Sequence, residues 1–501
     1  MLIDLSFYLK SYAELNPTHQ SAHSSFETPD PGFWTAQGYA ILRADEVGTG
    51  QSPGVLDTMS KSTSDAFADV IEWAAEQPWS NGKVGLVGIS YFGGSQWRVA
   101  ARQPRGLAAM VPVDGMADYY RDRCRHGGIL TGFLRWWFER QVLTNQYGLP
   151  GKASRNWGPD TIEGDLSEEE LARNRHDQVV ENAGHFYRDD PYYTSRDYNL
   201  QDVVTPLLSF GNWGSIMIHL HGNYEGFRLA SSEKKFLRMN VGRHDLPFYA
   251  DENVGIIKSF LDAFLKDEDH GGWTDGSRLP VDLVLRKGNV GYNNPEAEKA
   301  FKRRFEYEWP LARTEYVKFY LTPDKQLTLE APSVHYDRIS YPALGNILNP
   351  QFIQFSSNPL LVESEVTGYI VAHLNVSVTA LPGGAIPTDI DLFLTLRHFA
   401  SSGDEIYYTG ITGEPVPLCK GWQRVSLRKV NTEHPLHREW LPYRDYLSTD
   451  VLPVLPGEIY PVDIEVWATN VIGEKGDRFV LEVASGDTQG SGQFGHDTPE
   501  R

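Results

Sequence analysis

The run Lys83-Val84-Gly85-Leu86-Val87-Gly88, continuing into Ile89-Ser90-Tyr91-Phe92-Gly93, constrains this chain more than any other stretch. A compact apolar strand signal leads into it and a small-residue segment through Gln96-Trp97-Arg98-Val99-Ala100-Ala101 leads out, which predicts strand, sharp turn, helix. A serine on such a turn stands clear of the sheet as a nucleophile elbow, and a helix packed this close leaves no room for a side chain at Gly88. The helix start leaves the backbone N–H of Tyr91 without an intrahelical acceptor, so it can donate to an oxyanion. The usual elbow has glycine two residues after the serine; Phe92 stands there instead, and Gly93 follows.

The surroundings fit a doubly wound sheet. Gly38 to Asp45 reads as a short strand ending in the turn Gly48-Thr49-Gly50-Gln51-Ser52-Pro53-Gly54, Ser64 to Glu76 as a crossover helix, and Leu107 to Val113 as another buried strand. At 501 residues the chain exceeds what one core usually holds, and 41% hydrophobic residues can fill several. Residues 1–115 are expected to be the first part of an α/β-hydrolase core, with an N-terminus that is short for the fold, and residues 116–200 a helical cap. The core is expected to resume over 201–275, and the strand-rich remainder, 276–501, to form a β-sandwich or jelly roll. Cap aromatics Trp136, Trp137 and Phe138 suit core packing better than an acyl pocket. The segment Tyr120-Arg121-Asp122-Arg123-Cys124-Arg125-His126 is the nearest approach to a basic patch, and its interleaved Asp122 makes it read as a solvated helix face.

Residues 39 to 120 resemble the cocaine-esterase-like (CocE/NonD) hydrolases, the group that includes X-Pro dipeptidyl-peptidases and α-amino-acid ester hydrolases. The resemblance rests on Asp45 to Gly54, on Ile71-Glu72-Trp73 with Gln77 to Gly85, and on Gly88-Ile89-Ser90-Tyr91-Phe92-Gly93 with Gln96-Trp97. That family's elbow is similar to G-x-S-Y-x-G, which accommodates Phe92. Glu308-Trp309-Pro310-Leu311 and the β-rich tail look like the family's jelly-roll domain. The resemblance implies hydrolysis of a small-molecule ester or amide, with no cofactor and no metal.

A serine nucleophile needs a base and a group that orients it. His244, in Val241-Gly242-Arg243-His244-Asp245, follows a late strand where the family places its histidine, and is the expected base. His219 and His221 compete but read as structural or cap-facing. The family's aspartate belongs just after Phe210, at Ser215, with Gly214 the nearest alternative, yet no Asp occurs between Pro206 and Val241. The third member is therefore open, with Glu225 and Asp245 as imperfect substitutes. The family also adds a tyrosine hydroxyl to its oxyanion hole, for which Tyr8 is a weak match, and Val47 stands where the family commonly has arginine. These departures motivate two competing readings, a catalytically weakened fold used for binding or scaffolding, and carbohydrate binding through the β domain.

A formal charge of −20 argues against nucleic acid and anionic membrane partners. Two distant cysteines, Cys124 and Cys419, supply neither a disulfide framework nor a metal-site spacing. Without a basic leader or a long apolar run, the chain reads as soluble and cytoplasmic. Oligomeric state leaves no sequence signal.

Overall fold

The computed structural model describes residues 2–4 (backbone), 21, 24–152, 154, 163–333, 337–490 and 494–496. Tyr8, the weak oxyanion match, lies outside the described residues.

The first sheet contains β1 (Leu2–Asp4), β2 (Ile41–Arg43), β3 (Val84–Ile89) and β4 (Leu107–Val113). After a two-stranded hairpin, β5 (Arg125–His126) and β6 (Ile129–Leu130), it continues with β7 (Leu207–Asn212), β8 (Lys235–Asn240), β9 (Val281–Leu285) and β10 (Lys302–Glu306). Its order is β10-β9-β8-β7-β4-β3-β1-β2. All neighbours are parallel except β10, which runs antiparallel to β9 at the edge.

Helices cover both faces, so the central strands are apolar on both sides. From β3, Val84 and Leu86 pack with Ile71 and Trp97 on one face. Val87 and Ile89 pack with Trp34, Ile257 and Phe260 on the other. The helix Lys61–Ala75 starts where Ser60 Oγ accepts the Thr63 N–H at 3.3 Å.

The second sheet has nine antiparallel-dominated strands, beginning at Tyr320–Leu321 and centred on Asp391–Phe399, Cys419–Arg424 and the long pair Ser364–Val376 with Tyr460–Gly473. It forms the expected jelly-roll-type β domain. Sheet membership changes later than the expected boundary at residue 276, because β9 and β10 complete the first sheet before the second begins. A strand signal in this part of the sequence carries no sign of which sheet the strand will join.

The segment expected to be a solvated helix face is instead core. Tyr119–Cys124 is a wide π-type turn of helix, and Tyr120, Asp122, Arg123, Cys124, Arg125 and His126 are all buried. Most of its charge is satisfied internally. Asp122 accepts the N–H groups of Ala117 and Asp118 at 2.8 Å and lies 2.5 Å from His221 Nδ1, while Arg125 donates to the carbonyls of His185 and Asn182. The cap aromatics follow the expected packing, with Phe133, Trp137 and Phe138 buried and Trp136 against Phe494. Among the described residues no helix is long and apolar enough to cross a membrane, and no His/Cys/Asp/Glu group could hold a metal ion.

Candidate active site

Ser90 joins β3 to the helix Tyr91–Ala100 with φ +60° and ψ −115°. A non-glycine residue holds such angles only where its surroundings over-determine them. Here they do. Ser90 N–H donates to Val113 O at 3.0 Å, and Gly94 N–H to Ser90 O at 2.8 Å. An added Cβ at Gly93 would stand 2.6 Å from Val113 O, and one at Gly88 would strike Phe92. The elbow glycines therefore permit a close passage of helix over strand end. Tyr91 begins that helix, so its N–H has no intrahelical acceptor. The Tyr91 hydroxyl donates to buried Glu46 at 2.6 Å. Burial pushes Glu46 up to about 7.

His244 follows β8 and Gly242, whose φ of +99° makes the turn. Its ring is fixed at both nitrogens. Nδ1 lies 3.0 Å from the carbonyl oxygen of Ile411, which also accepts the His244 backbone N–H at 3.1 Å, and Nε2 lies 2.6 Å from Glu27 Oε1. Glu27 is buried, has φ +64°, and lies near enough to Ser90 for the hydroxyl to oppose slightly the upward shift that burial imposes on it. The segment is pinned by Ile89 N–H donating to Glu27 O at 3.0 Å, and Phe26 meets the His244 ring edge-on. One carboxylate, pinned to the strand that carries the nucleophile, thus holds the expected base.

Burial alone would lower His244, but the Glu27 hydrogen bond and the charges of Glu27, Asp245 and Asp114 raise it to about 10. Burial raises Glu27, opposed by its bond to His244. The ring therefore holds its proton at neutral pH, against the buried Glu27 carboxyl group.

His219, expected to be structural, lies at the nucleophile with Nε2 3.3 Å from Ser90 Oγ. It is buried, and desolvation followed by the charges of His244 and Arg123 pushes it well below its ordinary value, so the ring is neutral. The ring tautomer sets which of the two, Oγ–H or Nε2–H, donates in that bond, and Nδ1 has no partner. His221, by contrast, binds Asp122 and Glu465 away from Ser90.

The two expected acid positions are occupied otherwise. Gly214 cannot carry a side chain, because a Cβ would fall inside the carbonyl oxygen of Thr409. Ser215 donates instead to a carboxylate from another strand, Asp114 Oδ2, at 2.5 Å. Asp114 follows β4 with φ +43°, is buried, and leaves Oδ1 without a partner. Burial raises it to about 7, against the charge of His244 and the Ser215 bond. The substitutes fail: Asp245 pairs with Arg243 at 3.0 Å, and Glu225 with Arg228 and the Tyr369 hydroxyl. Sequence reasoning missed Glu27, Ile411 and Asp114. Asp114 alone had a signal, an acid at the C-terminal end of a parallel strand, where sites in such sheets collect.

Comparison with known proteins matches residues 5–245 to the family described as X-Pro dipeptidyl-peptidase (S15 family), and residues 276–501 to the X-Pro dipeptidyl-peptidase C-terminal non-catalytic domain. A crystal structure of a CocE/NonD family hydrolase from Staphylococcus aureus is similar with a TM-score of 0.78 and 26% identity, covering 99% of this chain and 84% of that one. A Mycobacterium bovis protein named as a candidate serine esterase is 24% identical over 91% of this chain and 79% of its own length. Cocaine esterase from a Rhodococcus species is 38% identical over 17% of this chain and 14% of its own.

Proposed function

This chain belongs to the CocE/NonD family of serine hydrolases, the group of cocaine esterase and the X-Pro dipeptidyl-peptidases, and from that premise we propose that it cleaves an ester or amide through an acyl-enzyme on Ser90. The observation that carries the reading is the strained Ser90 elbow, its hydroxyl in contact with His219 and the buried Glu27–His244 pair beside it. Ser90 Oγ attacks the substrate carbonyl and its proton passes to the Glu27 carboxylate. The new oxyanion accepts from Tyr91 N–H, and the Nε2–H of His219 steadies the charge developing on Oγ. The tetrahedral intermediate collapses, the bond to the leaving group breaks, and the Glu27–His244 pair returns a proton to that group. Water then repeats the sequence and frees the acid.

In this reading the base is the hydrogen-bonded pair, with His244 its cationic half. The orienting role usually given to an aspartate is divided. The Ile411 carbonyl fixes the ring through Nδ1, and Asp114 supplies negative charge without direct contact. A scaffold role or carbohydrate binding by the β domain finds no support in the comparisons.

A fluorophosphonate probe tests the reaction class directly. Ser90 of the folded protein is expected to be labelled, Ser90→Ala to be inert, and His244→Ala to be labelled far more slowly. Absence of label on folded wild type would remove the acyl-enzyme reading. Asp114→Asn is expected to lower kcat by about tenfold, the order of a charge interaction across several ångströms of protein. The deficit should widen above about pH 7, where Asp114 ionises. A pH-independent deficit would show that Asp114 acts only through packing with Ser215.

A further inference from the structure

Arg123 lies on the Tyr119–Cys124 turn and is 1% exposed, yet its Nε and Nη2 have no hydrogen-bond partner. Its guanidinium carbon lies 4.3 Å from the ring centroid of Trp137, 5.4 Å from Phe133, 5.6 Å from Tyr119 and 6.0 Å from Tyr91. Aromatic faces attract the flat face of a guanidinium, but its N–H donors lie in its own plane, and that edge is left unsatisfied. The other buried arginines of this region show what a structural role looks like. Arg125 donates to three carbonyls and the Tyr193 hydroxyl, and Arg196, which leaves only its Nε without a partner, donates to Tyr192 O and pairs with Asp57.

Burying a cation with unpaired donors is costly, and such groups persist where a ligand completes them. The location indicates which ligand. Tyr91 directly follows the nucleophile and stacks on Trp137 at 5.5 Å, and the charge of Arg123 reaches His219, which touches Ser90 Oγ. A planar fork inside an aromatic box selects a planar anion on an apolar stem, and the carboxylate matches it with two parallel hydrogen bonds.

We infer that Arg123 is the receptor for a carboxylate carried on the acyl part of the substrate, so that this enzyme's preferred substrates are half-esters or half-amides of dicarboxylic acids. The inference rests on the serine-hydrolase reading for the reaction and on Arg123 alone for the selectivity. Anionic head and reacting carbonyl are then held at once.

The test compares mono-para-nitrophenyl glutarate with its methyl-capped, neutral counterpart, together with the effect of free glutarate and of glutaramide on melting temperature. In wild type, kcat/KM is expected to favour the half-ester by at least about tenfold, the range of hydrogen bonds to a charged group. Glutarate, but not glutaramide, should raise the melting temperature. In Arg123→Gln the ratio of the two kcat/KM values should fall to near one and the glutarate shift should vanish. Arg123→Lys, which keeps the charge without the fork, should fall between. A wild-type ratio near one with no glutarate shift, or a ratio equal in all three proteins, overturns the proposal. Hydrolysis of the neutral ester without preference for the half-ester refutes the receptor and leaves the reaction standing. Arg123-dependent glutarate binding with no turnover of either ester refutes the reaction and leaves the receptor standing.

Discussion

Glu27→Gln is expected to lower kcat by about 10²- to 10⁴-fold, the contribution of a positioned general base, while leaving the fold intact. The amide keeps the shape of the carboxylate but cannot take up the Ser90 proton. The pH profile gives an independent reading. In wild type, activity should require ionised Glu27, so the acid limb falls where that carboxylate is protonated, above the ordinary glutamate range because burial raises it. Activity should hold until His244 loses its proton at about 10. The Gln variant removes the main cause of the raised His244, so the alkaline limb should move down. Were His244 alone the base, wild-type activity would instead climb through about pH 10. A Glu27→Gln enzyme as fast as wild type, or faster, would mean that the carboxylate merely occupies the site.

Gly214→Ala should cost more than about 3 kcal/mol of stability, and most of the activity with it. The new methyl would coincide with the carbonyl oxygen of Thr409, a backbone atom in the strand Tyr408–Thr409 with no side-chain torsion through which to give way. Overpacking of this kind forces backbone shifts and commonly costs 1–3 kcal/mol even where neighbours can yield. Thr409 lies two residues before Ile411, whose carbonyl holds His244, so displacement at Gly214 propagates to the base. Gly255→Ala is the matched control. Gly255 lies in the helix Asp251–Leu265 with open space where a Cβ would go, and alanine there should gain up to about 1 kcal/mol. Thermal denaturation of both variants, with kcat/KM on one ester, checks the contrast. An unchanged Gly214→Ala melting temperature would show that the hairpin can move aside.

The elbow was legible because its chemistry is local: strand, turn, serine and the closely approached glycines fall within ten consecutive positions. The place of His244 after a strand at the edge of the sheet was legible for the same local reason, whereas the role proposed for it depends on partners that were not. Glu27 was not, since it sits in irregular chain 217 positions from its partner and no periodicity marks it. Ile411 contributes a backbone carbonyl, a group every residue has, so no residue type could announce it. The resemblance points to an acid after β7, whereas the carboxylate of Asp114 stands at the end of β4, where Ser215 reaches directly to it. The Tyr120–His126 segment was misread for a related reason. Its charges resemble a wet surface until the partners that neutralise them, His221 among them, arrive from elsewhere in the chain.

The Ile411 carbonyl bears on how such enzymes diversify by recombination. A β domain joined after the hydrolase strands looks like an exchangeable attachment, to be traded between lineages without touching the chemistry. Here a trade would also replace the acceptor that fixes the imidazole ring. Chimeras assembled from two relatives would inherit the histidine from one parent and its orientation from the other. Their turnover would then depend on how well one hairpin of the incoming module seats against the end of β7.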